Sequence, residues 1–296
     1  MTNAFVRKKI REMLAEDLGS GDITSKALLS SKVKAKAKIV AGQPGVLAGV
    51  SEAMMAFDEV GVQAKALKSD GQQIKAGDVI LRLDGPARSI FAAERVALNL
   101  LMRMSGIATA TQGLINQARK KNPNVVIAAT RKTAPLFTYF DKRAVQVAGG
   151  EPHRYKLSDH ILIKGNHLRL VGSVSKAVLQ AREGSPVKKV EVEVSKPDDA
   201  YEAARAGADV VMLDNMKPAN IIRAIKILKR GGLRNRVTLE ASGGINPSNV
   251  ESYVATGVDV ISSSYITMRA PALDMRLELN SKSFKPSAGM RKQKSR

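Results

Sequence analysis

The sequence predicts an α/β protein in which a mixed α+β segment precedes a barrel of parallel strands. Two observations lead to this fold class. From residue 124 onward, six short runs of β-branched residues occur, most of them followed by a helical pattern, and repeated strand–helix units form parallel sheets. Polar or charged residues follow these runs, as is typical of the active-site end of an α/β barrel. Residues 1–88 instead show the alternating patterns and glycine turns of a mixed α+β unit.

The N-terminal segment is expected to start with a helix and to continue as strands. Apolar residues recur at helical spacing over residues 5–18 and stop at a glycine-rich turn. In residues 32–39 lysines alternate with apolar residues, which is typical of a strand with one solvated face. We prefer this interpretation to a nucleic-acid-binding patch, because charge runs usually form a solvated face. Glycine turns separate further short strands, and residues 94–104 are predicted to be helical.

The barrel is predicted from the runs themselves and from the residues that follow them. The runs are Val125–Ala129, His160–Ile163, Val190–Val194, Val210–Leu213, Val237–Leu239 and Val258–Ile261. Helices are expected between several of them, at residues 198–206 and 218–229. The segments after the runs include Thr130–Lys132, Lys164–His167, Asp214–Asn215 and Glu240–Gly244. Because the carboxyl ends of barrel strands carry the active site, we expect the chemistry at these segments.

The composition excludes several functional classes. The 296 residues include no cysteine, which excludes disulfides, thiolate metal sites and cysteine nucleophiles and fits a cytoplasmic location. No apolar stretch approaches the roughly 18 residues that a membrane span needs. The net charge is +21, but residues 282–296 hold six basic and no acidic residues and are expected to be a solvated tail. With only 4% aromatic residues and no tryptophan, the charge fits polyanionic small molecules better than nucleic acid.

One glycine-containing segment has the properties of a phosphate site. Ser242, Gly243 and Gly244 follow a predicted strand, and a helix is expected to begin at Pro247 or Ser248. Glycines let a ligand approach the backbone closely, and a helix N-terminus offers free N–H groups to a phosphate. The loops after the last strands of barrels often bind phosphate. An ordinary glycine turn before a proline-started helix is the alternative interpretation.

The three histidines, His153, His160 and His167, lie in one short stretch with basic neighbours. Their spacing of seven residues does not fit a helical metal pair, and no cysteine or carboxylate cluster completes a site, so we do not expect zinc. His160 begins an apolar run and is expected to be structural. His153 and Arg154 suit an anion-binding fork, because arginine binds a carboxylate through two parallel hydrogen bonds.

Further cations and carboxylates lie at the ends of predicted strands. Arg131 and Lys132 follow one strand, and Lys164 follows another. A lysine at the end of a barrel strand could form a Schiff base with a carbonyl substrate or remain a permanent cation. The opposing carboxylates, Glu193 and Asp214, would either hold Mg²⁺ or stabilise positive charge that develops on the substrate. So many converging cations indicate a substrate that carries several negative charges.

Taken in order along the chain, these segments resemble the quinolinate phosphoribosyltransferase family. The segments that carry the resemblance are Glu16–Thr24, Glu94–Asn99, Ser105–Thr109, Thr130–Thr133, Gly149–Arg154, Leu162–His167, Glu191–Val194, Leu213–Asn215 and Glu240–Gly244. They extend over nearly the whole chain, and the ordered set is far more specific than any single segment.

The resemblance implies a particular fold and assembly. The expected fold is an incomplete, seven-stranded α/β barrel with an N-terminal α+β sandwich domain. Residues 1–107, joined by about residues 268–281, would form the sandwich, and residues 108–267 would form the barrel. The family further implies a homodimer, or an oligomer built from dimers, in which each active site takes one arginine from the neighbouring subunit. In this chain that arginine is expected to be Arg95.

The resemblance also implies the reaction and the residues that perform it. Arg131, Lys132, His153, Arg154 and Lys164 would bind quinolinate; Glu193 and Asp214 would face the ribose and Mg²⁺ of phosphoribosyl pyrophosphate (PRPP); Ser242, Gly243, Gly244 and Ser264 would bind its 5-phosphate. Lys132, Lys164, Glu193 and Asp214 are the residues expected to be catalytic. Pyrophosphate would leave through an oxocarbenium-like state, the pyridine nitrogen would attack C1, and the cationic ring would lose CO₂. The product would be nicotinate mononucleotide for NAD biosynthesis.

Several residues depart from the family pattern. Gly165 stands where an aspartate is usual, and Ser264 lies where the phosphate loop usually contains glycine. The loop at residues 134–139 also differs from the common pattern and could alter the shape of the pocket. Of the two glutamates in the run at 190–194, we expect Glu193 to face the barrel centre and Glu191 to lie on the opposite face.

Two other functions stay open on the sequence alone. The same fold could act on nicotinate or another base, as a nicotinate phosphoribosyltransferase or the molybdenum-operon relative does. A nicotinate site needs basic residues for only one substrate carboxylate. The four residues Arg131, His153, Arg154 and Lys164 together favour a substrate with two carboxylates. A nucleic-acid-binding barrel would use the +21 charge and would lose most of its binding if the residues after Lys282 were removed.

Overall fold

Two main sheets organise residues 3–280, the part of the chain that the computed structural model describes. Within that part, residues 3–102 and 273–280 form an N-terminal unit, and residues 103–272 form a barrel unit. The two ends of the described chain therefore belong to the same unit. The predicted basic tail, residues 282–296, lies outside the described residues. Between residues 3 and 280, no helix is both long and apolar enough to cross a membrane.

The N-terminal unit is built on an antiparallel sheet. Its elements are α1 (Asn3–Leu18), α2 (Ile23–Leu28), β1 (Lys34–Ala41), β2 (Gly45–Val46), α3 (Val50–Asp58), β3 (Gln63–Ala66), β4 (Gln73–Ile74), β5 (Val79–Pro86), most of the first half of α4 (Ala87–Arg119), and β12 (Met275–Leu279). The main sheet has the strand order β12, β1, β5, β3, and β2 pairs separately with β4. Helix α3 packs on both α1 and β3.

Strand β1 alternates between the core and solvent, as its lysine pattern predicts. Ile39 is fully buried, whereas Lys36 on the other face is exposed. The lysine face is paired across the sheet: Lys36 Nζ lies 3.3 Å from Asp84 Oδ2 on β5, and Lys38 Nζ lies 3.0 Å from Glu278 Oε2 on β12. The lysines of this strand therefore belong to a charged, solvated face of the sheet.

The barrel unit alternates strands and helices. Its elements are the second half of α4, β6 (Val126–Ala128), α5 (Thr138–Val147), β7 (Ile161–Ile163), α6 (Gly165–Val171), α7 (Val174–Gly184), β8 (Val190–Val194), α8 (Pro197–Arg205), β9 (Val210–Asp214), α9 (Pro218–Arg230), a 3₁₀ turn (Arg234–Arg236), β10 (Thr238–Ser242), α10 (Val250–Val254), β11 (Val260–Ser262) and α11 (Tyr265–Met268). The parallel strand order is β6, β11, β10, β9, β8, β7.

The position beside β6 is occupied by a single residue rather than by a full strand. Glu151 forms a parallel bridge with Ala128. The Ala129 N–H donates to the Glu151 carbonyl at 2.8 Å, and the Glu151 N–H donates to the Ile127 carbonyl at 2.8 Å. Among the described residues, the barrel thus has six laddered strands and a seventh strand position of one residue, which pairs with β6 and lies between α5 and β7 in the sequence. This arrangement places the residues after Glu151 beside the other strand ends.

Helices α8 and α9 begin and end close to the predicted residues, for reasons visible in the sequence. Pro197 and Pro218 each occupy the first turn, where a missing N–H costs nothing. Acidic residues follow in the first turn of α8, and basic residues end α9, so both complement the helix dipole.

A buried ion pair is expected to stabilise the barrel unit. Asp141 on α5 has a side chain with no solvent exposure, and it accepts bonds from Arg103 Nε at 2.7 Å and Arg103 Nη2 at 2.8 Å. Replacing Asp141 with alanine leaves the arginine unpaired, which typically costs about 3 kcal/mol. We therefore expect Asp141→Ala to lower the Tm by about 5–10 °C in a thermal unfolding scan.

The matched control for this prediction is Asp198→Ala. Asp198 forms an exposed pair with Arg223 at 3.4 Å, and exposed pairs contribute little to stability. This variant should shift the Tm by less than about 2 °C. Equal shifts in the two variants would contradict the assigned role of Asp141.

Candidate active site

The carboxyl ends of the barrel strands surround a cavity of about 270 Å³. Its lining residues are Ala129, Thr130, Arg131 and Lys132 after β6; His153 and Arg154 after Glu151; Leu162 and Lys164 at β7; Glu193 on β8; Met212, Asp214 and Asn215 at β9; Glu240 and Ser242 on β10; and Ser262 on β11. Every strand of the parallel sheet contributes to the lining. This is the end of the barrel at which active sites form.

The structure brings most of the predicted site residues together at this cavity. Arg131, Lys132, His153, Arg154, Lys164, Glu193, Asp214 and Ser242 all line it. Gly243, Gly244 and Ser264 are not among the lining residues, although Gly243 follows Ser242 directly. Arg95 lies on the part of α4 that belongs to the N-terminal unit, and it does not line the cavity.

Opposite charges already pair across the cavity. Lys164 Nζ donates to Glu193 Oε1 at 2.8 Å, joining the end of β7 to β8. The lysine side chain is about half exposed (47%) whereas the glutamate is mostly covered (17%). Burial and the nearby charge of Arg131 lower the pKa of Arg154, which nevertheless stays a cation at neutral pH. The cavity therefore presents several cations against a few carboxylates, as a polyanionic substrate requires.

The expectation that Glu191 faces away from Glu193 is wrong. Residues two apart on a strand share a face, so both glutamates of β8 lie on the same side of the sheet. Glu193 lines the cavity at the strand ends, whereas Glu191 lies one layer deeper and lines a second cavity of about 400 Å³. Side chains inside such barrels stack in layers of this kind. The same spacing places Glu240 one layer below Ser242 on β10.

Glu191 is the centre of a buried cluster. His160 Nε2 lies 2.9 Å from Glu191 Oε2, and His153 Nε2 lies 3.2 Å from the same oxygen. His153 Nε2 is also 3.7 Å from Glu240 Oε2. Burial opposes the charge on Glu191, but the hydrogen bonds from both histidines hold the pKa of Glu191 well below its ordinary value. His160 thus has a structural contact, as predicted.

The same cluster changes one argument made from the sequence. His153, His160 and Glu191 bring potential ligand atoms within 4.8 Å of one another, so a carboxylate does complete a group with two histidines. Chain spacing could not indicate this, because Glu191 comes from a different strand. The distances are those of hydrogen bonds from two rings to one carboxylate oxygen, and we interpret the cluster in that way.

Glu240 is a cavity residue to which the sequence assigned no role. Its carboxylate is almost completely buried, and burial together with the neighbouring Glu191 raises the pKa of Glu240 to about 7. The available signal was its position two residues before Ser242 on one strand, which gives both the same face. Asn215 also lines the cavity; its φ of 53° lies in the left-handed region.

The predicted phosphate segment is a tight turn rather than the start of a long helix. Helix α10 begins at Val250 and has five residues, so the expected start at Pro247 or Ser248 is wrong. The reason is local: Asn246 Oδ1 accepts from the Ser248 N–H at 2.9 Å, and Asn249 Oδ1 accepts from the Asn246 N–H at 2.9 Å. Asparagine side chains that bond the backbone in this way favour turns over helix.

Gly243 is held in a conformation that requires glycine. Its φ is +103°, and a Cβ there would lie 2.3 Å from Asn215 Oδ1. The Asn215 N–H donates to the Ser242 carbonyl at 2.9 Å, so the ends of β9 and β10 are joined at this point. The backbone after Ser242 is consequently fixed beside the cavity.

All three departures from the family pattern can be located. Gly165 is the first residue of α6, and a Cβ there would meet nothing within 4 Å, so an aspartate would fit without displacing its neighbours. Ser264 caps the short helix α11. In the loop at 134–139, Leu136 has a φ of 66° and is largely exposed.

Comparison with known protein families gives matches along nearly the whole chain. Residues 22–105 match the model of the quinolinate phosphoribosyl transferase N-terminal domain, and residues 107–278 match the model of its C-terminal domain. The boundary between the two matches falls inside α4. Together these matches cover far more than half of the chain.

Individual relatives are similar over most of their length. A probable nicotinate-nucleotide pyrophosphorylase (carboxylating) from Methanothermobacter thermautotrophicus is 47% identical over 271 residues, which are 91% of this chain and 97% of the relative. The human nicotinate-nucleotide pyrophosphorylase (carboxylating) is 38% identical over 88% of this chain and 87% of its own. The solved structure of the nicotinate-nucleotide pyrophosphorylase from Francisella tularensis superposes with a TM-score of 0.87 at 36% identity, over 95% of this chain and 98% of that chain.

Proposed function

This chain belongs to the quinolinate phosphoribosyltransferase family, and from this membership we infer that it converts quinolinate and PRPP to nicotinate mononucleotide, pyrophosphate and CO₂. It is a nicotinate-nucleotide pyrophosphorylase (carboxylating), an enzyme of NAD biosynthesis. The observation that carries this conclusion is the cavity itself, where Arg131, Lys132, Arg154 and Lys164 converge with His153 on a space of about 270 Å³. Such a set of cations matches two anionic substrates.

Quinolinate is proposed to bind among the cations of β6, β7 and the Glu151 segment. It carries two carboxylates on adjacent ring carbons, and guanidinium groups bind carboxylates through paired hydrogen bonds. Arg131 and Arg154 are the candidates for this pairing, with His153 adding a third donor. Lys132 and Lys164 supply compact charges that can shift between a substrate carboxylate and the leaving pyrophosphate.

PRPP is proposed to bind across β8, β9 and β10. Glu193 and Asp214 would face its ribose, and Ser242 with the backbone of Gly243 and Gly244 would bind its 5-phosphate. Ser264 on the neighbouring strand end would add a hydroxyl to the same phosphate. Support for this placement comes from Gly243, whose conformation brings backbone rather than side chain to the end of β10.

Mg²⁺ is proposed as the cofactor, held by Glu193 and Asp214 together with phosphate oxygens of PRPP. The donor set fits, since Mg²⁺ is usually bound by one or two carboxylates plus substrate phosphates, and both carboxylates line the cavity. When bound, the ion would neutralise charge on the departing pyrophosphate.

The protein residues then act mainly by position and charge. As the C1–O bond to pyrophosphate breaks, the carboxylates of Glu193 and Asp214 offset the positive charge that develops on the ribose. The cationic residues around quinolinate hold its ring nitrogen against C1, so that bond formation follows directly. The ring nitrogen is now cationic. When the 2-carboxylate departs as CO₂, the electron pair of the broken carbon–carbon bond stays on C2 of the ring, where the adjacent positive charge stabilises it. A proton taken up at that carbon completes nicotinate mononucleotide.

The assembly and location extend the same proposal. A homodimer, or an oligomer built from dimers, would supply Arg95 from a neighbouring subunit to each quinolinate site. Support comes from the cavity lining, which contains no residue from the N-terminal unit among the described residues. A cytoplasmic location fits the absence of cysteine from the sequence.

The alternatives are less well supported. A nicotinate phosphoribosyltransferase, or the molybdenum-operon relative, would need basic residues for only one substrate carboxylate, whereas several cations line the cavity. The comparisons favour the quinolinate reaction as well. For the nucleic-acid alternative, only the net charge of +21 speaks, whereas the four basic residues of the cavity, Arg131, Lys132, Arg154 and Lys164, suit a polyanionic small molecule.

The experiment that tests the function is a CO₂-release assay with quinolinate labelled in its 2-carboxylate. Release should require both PRPP and Mg²⁺, and equal amounts of CO₂ and pyrophosphate should form. EDTA should abolish the release, and excess Mg²⁺ should restore it. Pyrophosphate formation from nicotinate without any CO₂ from quinolinate would instead support the nicotinate reaction.

A further inference from the structure

His153 lies in a strained backbone conformation inside the barrel. Its φ of 57° makes it one of three non-glycine residues with positive φ among residues 3–280. Such a conformation is disfavoured for a residue with a Cβ, and it persists only where the surroundings fix it. His153 also lines both the active-site cavity and the deeper cavity of about 400 Å³. The residues around His153 therefore determine the position and orientation of its ring in the cavity.

The backbone on both sides of His153 is held by one buried lysine. The side chain of Lys142 on α5 is fully buried. Its Nζ donates to the Pro152 carbonyl and, at 2.8 Å, to the Arg154 carbonyl. These carbonyls belong to the residues immediately before and after His153. A single ammonium group thus closes the turn that carries the strained residue.

The ring of His153 is held by Glu191. Glu191 Oε2 accepts from His153 Nε2, and His160 Nε2 bonds the same oxygen from the other side. The two rings meet edge to face with centroids 5.2 Å apart. Among the described residues, His153 Nδ1 is buried and has no hydrogen-bond partner. One ring nitrogen is thus fixed by Glu191, and the other makes no hydrogen bond.

We propose that Lys142 and Glu191 are positioning residues that hold His153 for a carboxylate of quinolinate, Lys142 through the backbone turn and Glu191 through the imidazole ring. This proposal rests on the proposed function, which places quinolinate at His153. Neither residue needs to touch the substrate. Glu191 fixes the orientation of the ring, and its charge favours the imidazolium form. A positively charged ring attracts the substrate carboxylate more strongly than a neutral one does.

The charged groups around His153 come from each element packed against it. Glu191 on β8 and Glu240 on β10 are the acidic neighbours, and Lys142 on α5 is the basic one; the His160 ring meets the His153 ring edge to face. Burial alone would lower the pKa of His153, but the hydrogen bond and charge of Glu191, aided by Glu240, raise it above its ordinary value. Replacing Glu191 by a neutral residue should therefore lower the pKa of His153.

The test begins with Glu191→Gln, which keeps the size of the side chain and removes its charge. The KM for quinolinate at pH 7.5 should rise by about 10- to 100-fold, as expected for loss of the attraction between a charged ring and a carboxylate, whereas kcat and the KM for PRPP should change less than about threefold. In the wild-type enzyme the quinolinate KM should climb only above the raised pKa of His153, and in the variant that climb should begin at lower pH. Glu151→Gln is the matched control, since Glu151 is exposed and lies two residues from His153.

Two further measurements address folding and the proposed function itself. Lys142→Met should raise the quinolinate KM with an unchanged KM for PRPP; if it does not fold, Lys142→Arg, which keeps a cation, should restore both folding and the KM. NMR titration of the three histidines in ligand-free enzyme should show that the His153 pKa falls in Glu191→Gln, because the carboxylate charge beside the ring is lost. This titration does not depend on turnover, so it separates the positioning proposal from failure of the quinolinate assay. An unchanged His153 titration, or equal losses in kcat and both KM values, would overturn the proposal.

Discussion

Replacing Glu193 with glutamine is expected to lower kcat by about 10²- to 10³-fold, the usual cost of removing one preorganised group that stabilises transition-state charge. The amide keeps the shape of the side chain but cannot offset positive charge on the ribose. Glu193 lies at the carboxyl end of β8, within the cavity lining. The loss should therefore appear in kcat more than in the KM for quinolinate. Initial rates of pyrophosphate release at saturating PRPP and Mg²⁺ measure it.

Glu183→Gln is the matched control for this experiment. Glu183 lies on α7, is exposed, and is not part of the cavity. Its replacement removes the same charge from the protein and should leave kcat unchanged. A kcat for Glu193→Gln within fivefold of the wild-type value would remove Glu193 from the catalytic set, and a rise in the PRPP KM alone would limit it to substrate binding.

Replacing Arg131 with alanine is expected to raise the KM for quinolinate by about 100-fold or more. Two charge-assisted hydrogen bonds to a carboxylate are lost together, and each contributes about 1.5–3 kcal/mol. Arg131 follows β6 directly and lines the cavity beside Lys132. Steady-state kinetics with quinolinate varied at fixed PRPP measure the effect. Arg131→Lys should recover only part of it, because an ammonium group cannot form the paired bonds of a guanidinium.

The control for Arg131 is Arg230→Ala at the end of α9. Arg230 is exposed and lies outside the cavity lining, so its loss changes the net charge equally without touching the site. Both KM values should then stay at the wild-type level. If Arg131→Ala instead raises the KM for PRPP and leaves that for quinolinate unchanged, Arg131 binds the phosphates and the assignment of the two substrates across the cavity is reversed.

The strands and helices that periodicity describes could be predicted from the sequence. The runs that begin at Val190 and Val210 are strands with almost the predicted bounds, since β-branched residues buried on both faces mark interior parallel strands. The residues that follow the strands then predict much of the cavity lining, because the carboxyl ends of parallel strands lie together at one end of the barrel. Lys164 and Asp214 reach the site for this reason.

What could not be predicted depends on contacts that chain spacing does not encode. Glu151 occupies a strand position with one residue, too short for any periodic signal. From the sequence, Lys142 would be taken for a surface lysine on a helix. In the structure the turn at residues 152–154 covers it. The start of α10 is set by two asparagine side chains that compete with the helix for backbone donors. The role of Arg95 rests on the family resemblance alone and stays a prediction.

The position of strand β12 near the end of the described chain determines when the sheet of the N-terminal unit can be completed during translation. It is the edge strand beside β1, with Ala37 opposite Leu279, so the sheet of the N-terminal unit is incomplete until the last described residues have been translated. More than 230 residues separate Ala41 from Met275, which at roughly 5–20 residues per second is an interval of about 10 to 50 seconds. Throughout that interval β1 offers an open edge to every other nascent chain nearby. Lys36 and Lys38 on that strand then act as protection against aggregation during synthesis, a role that ends once β12 arrives.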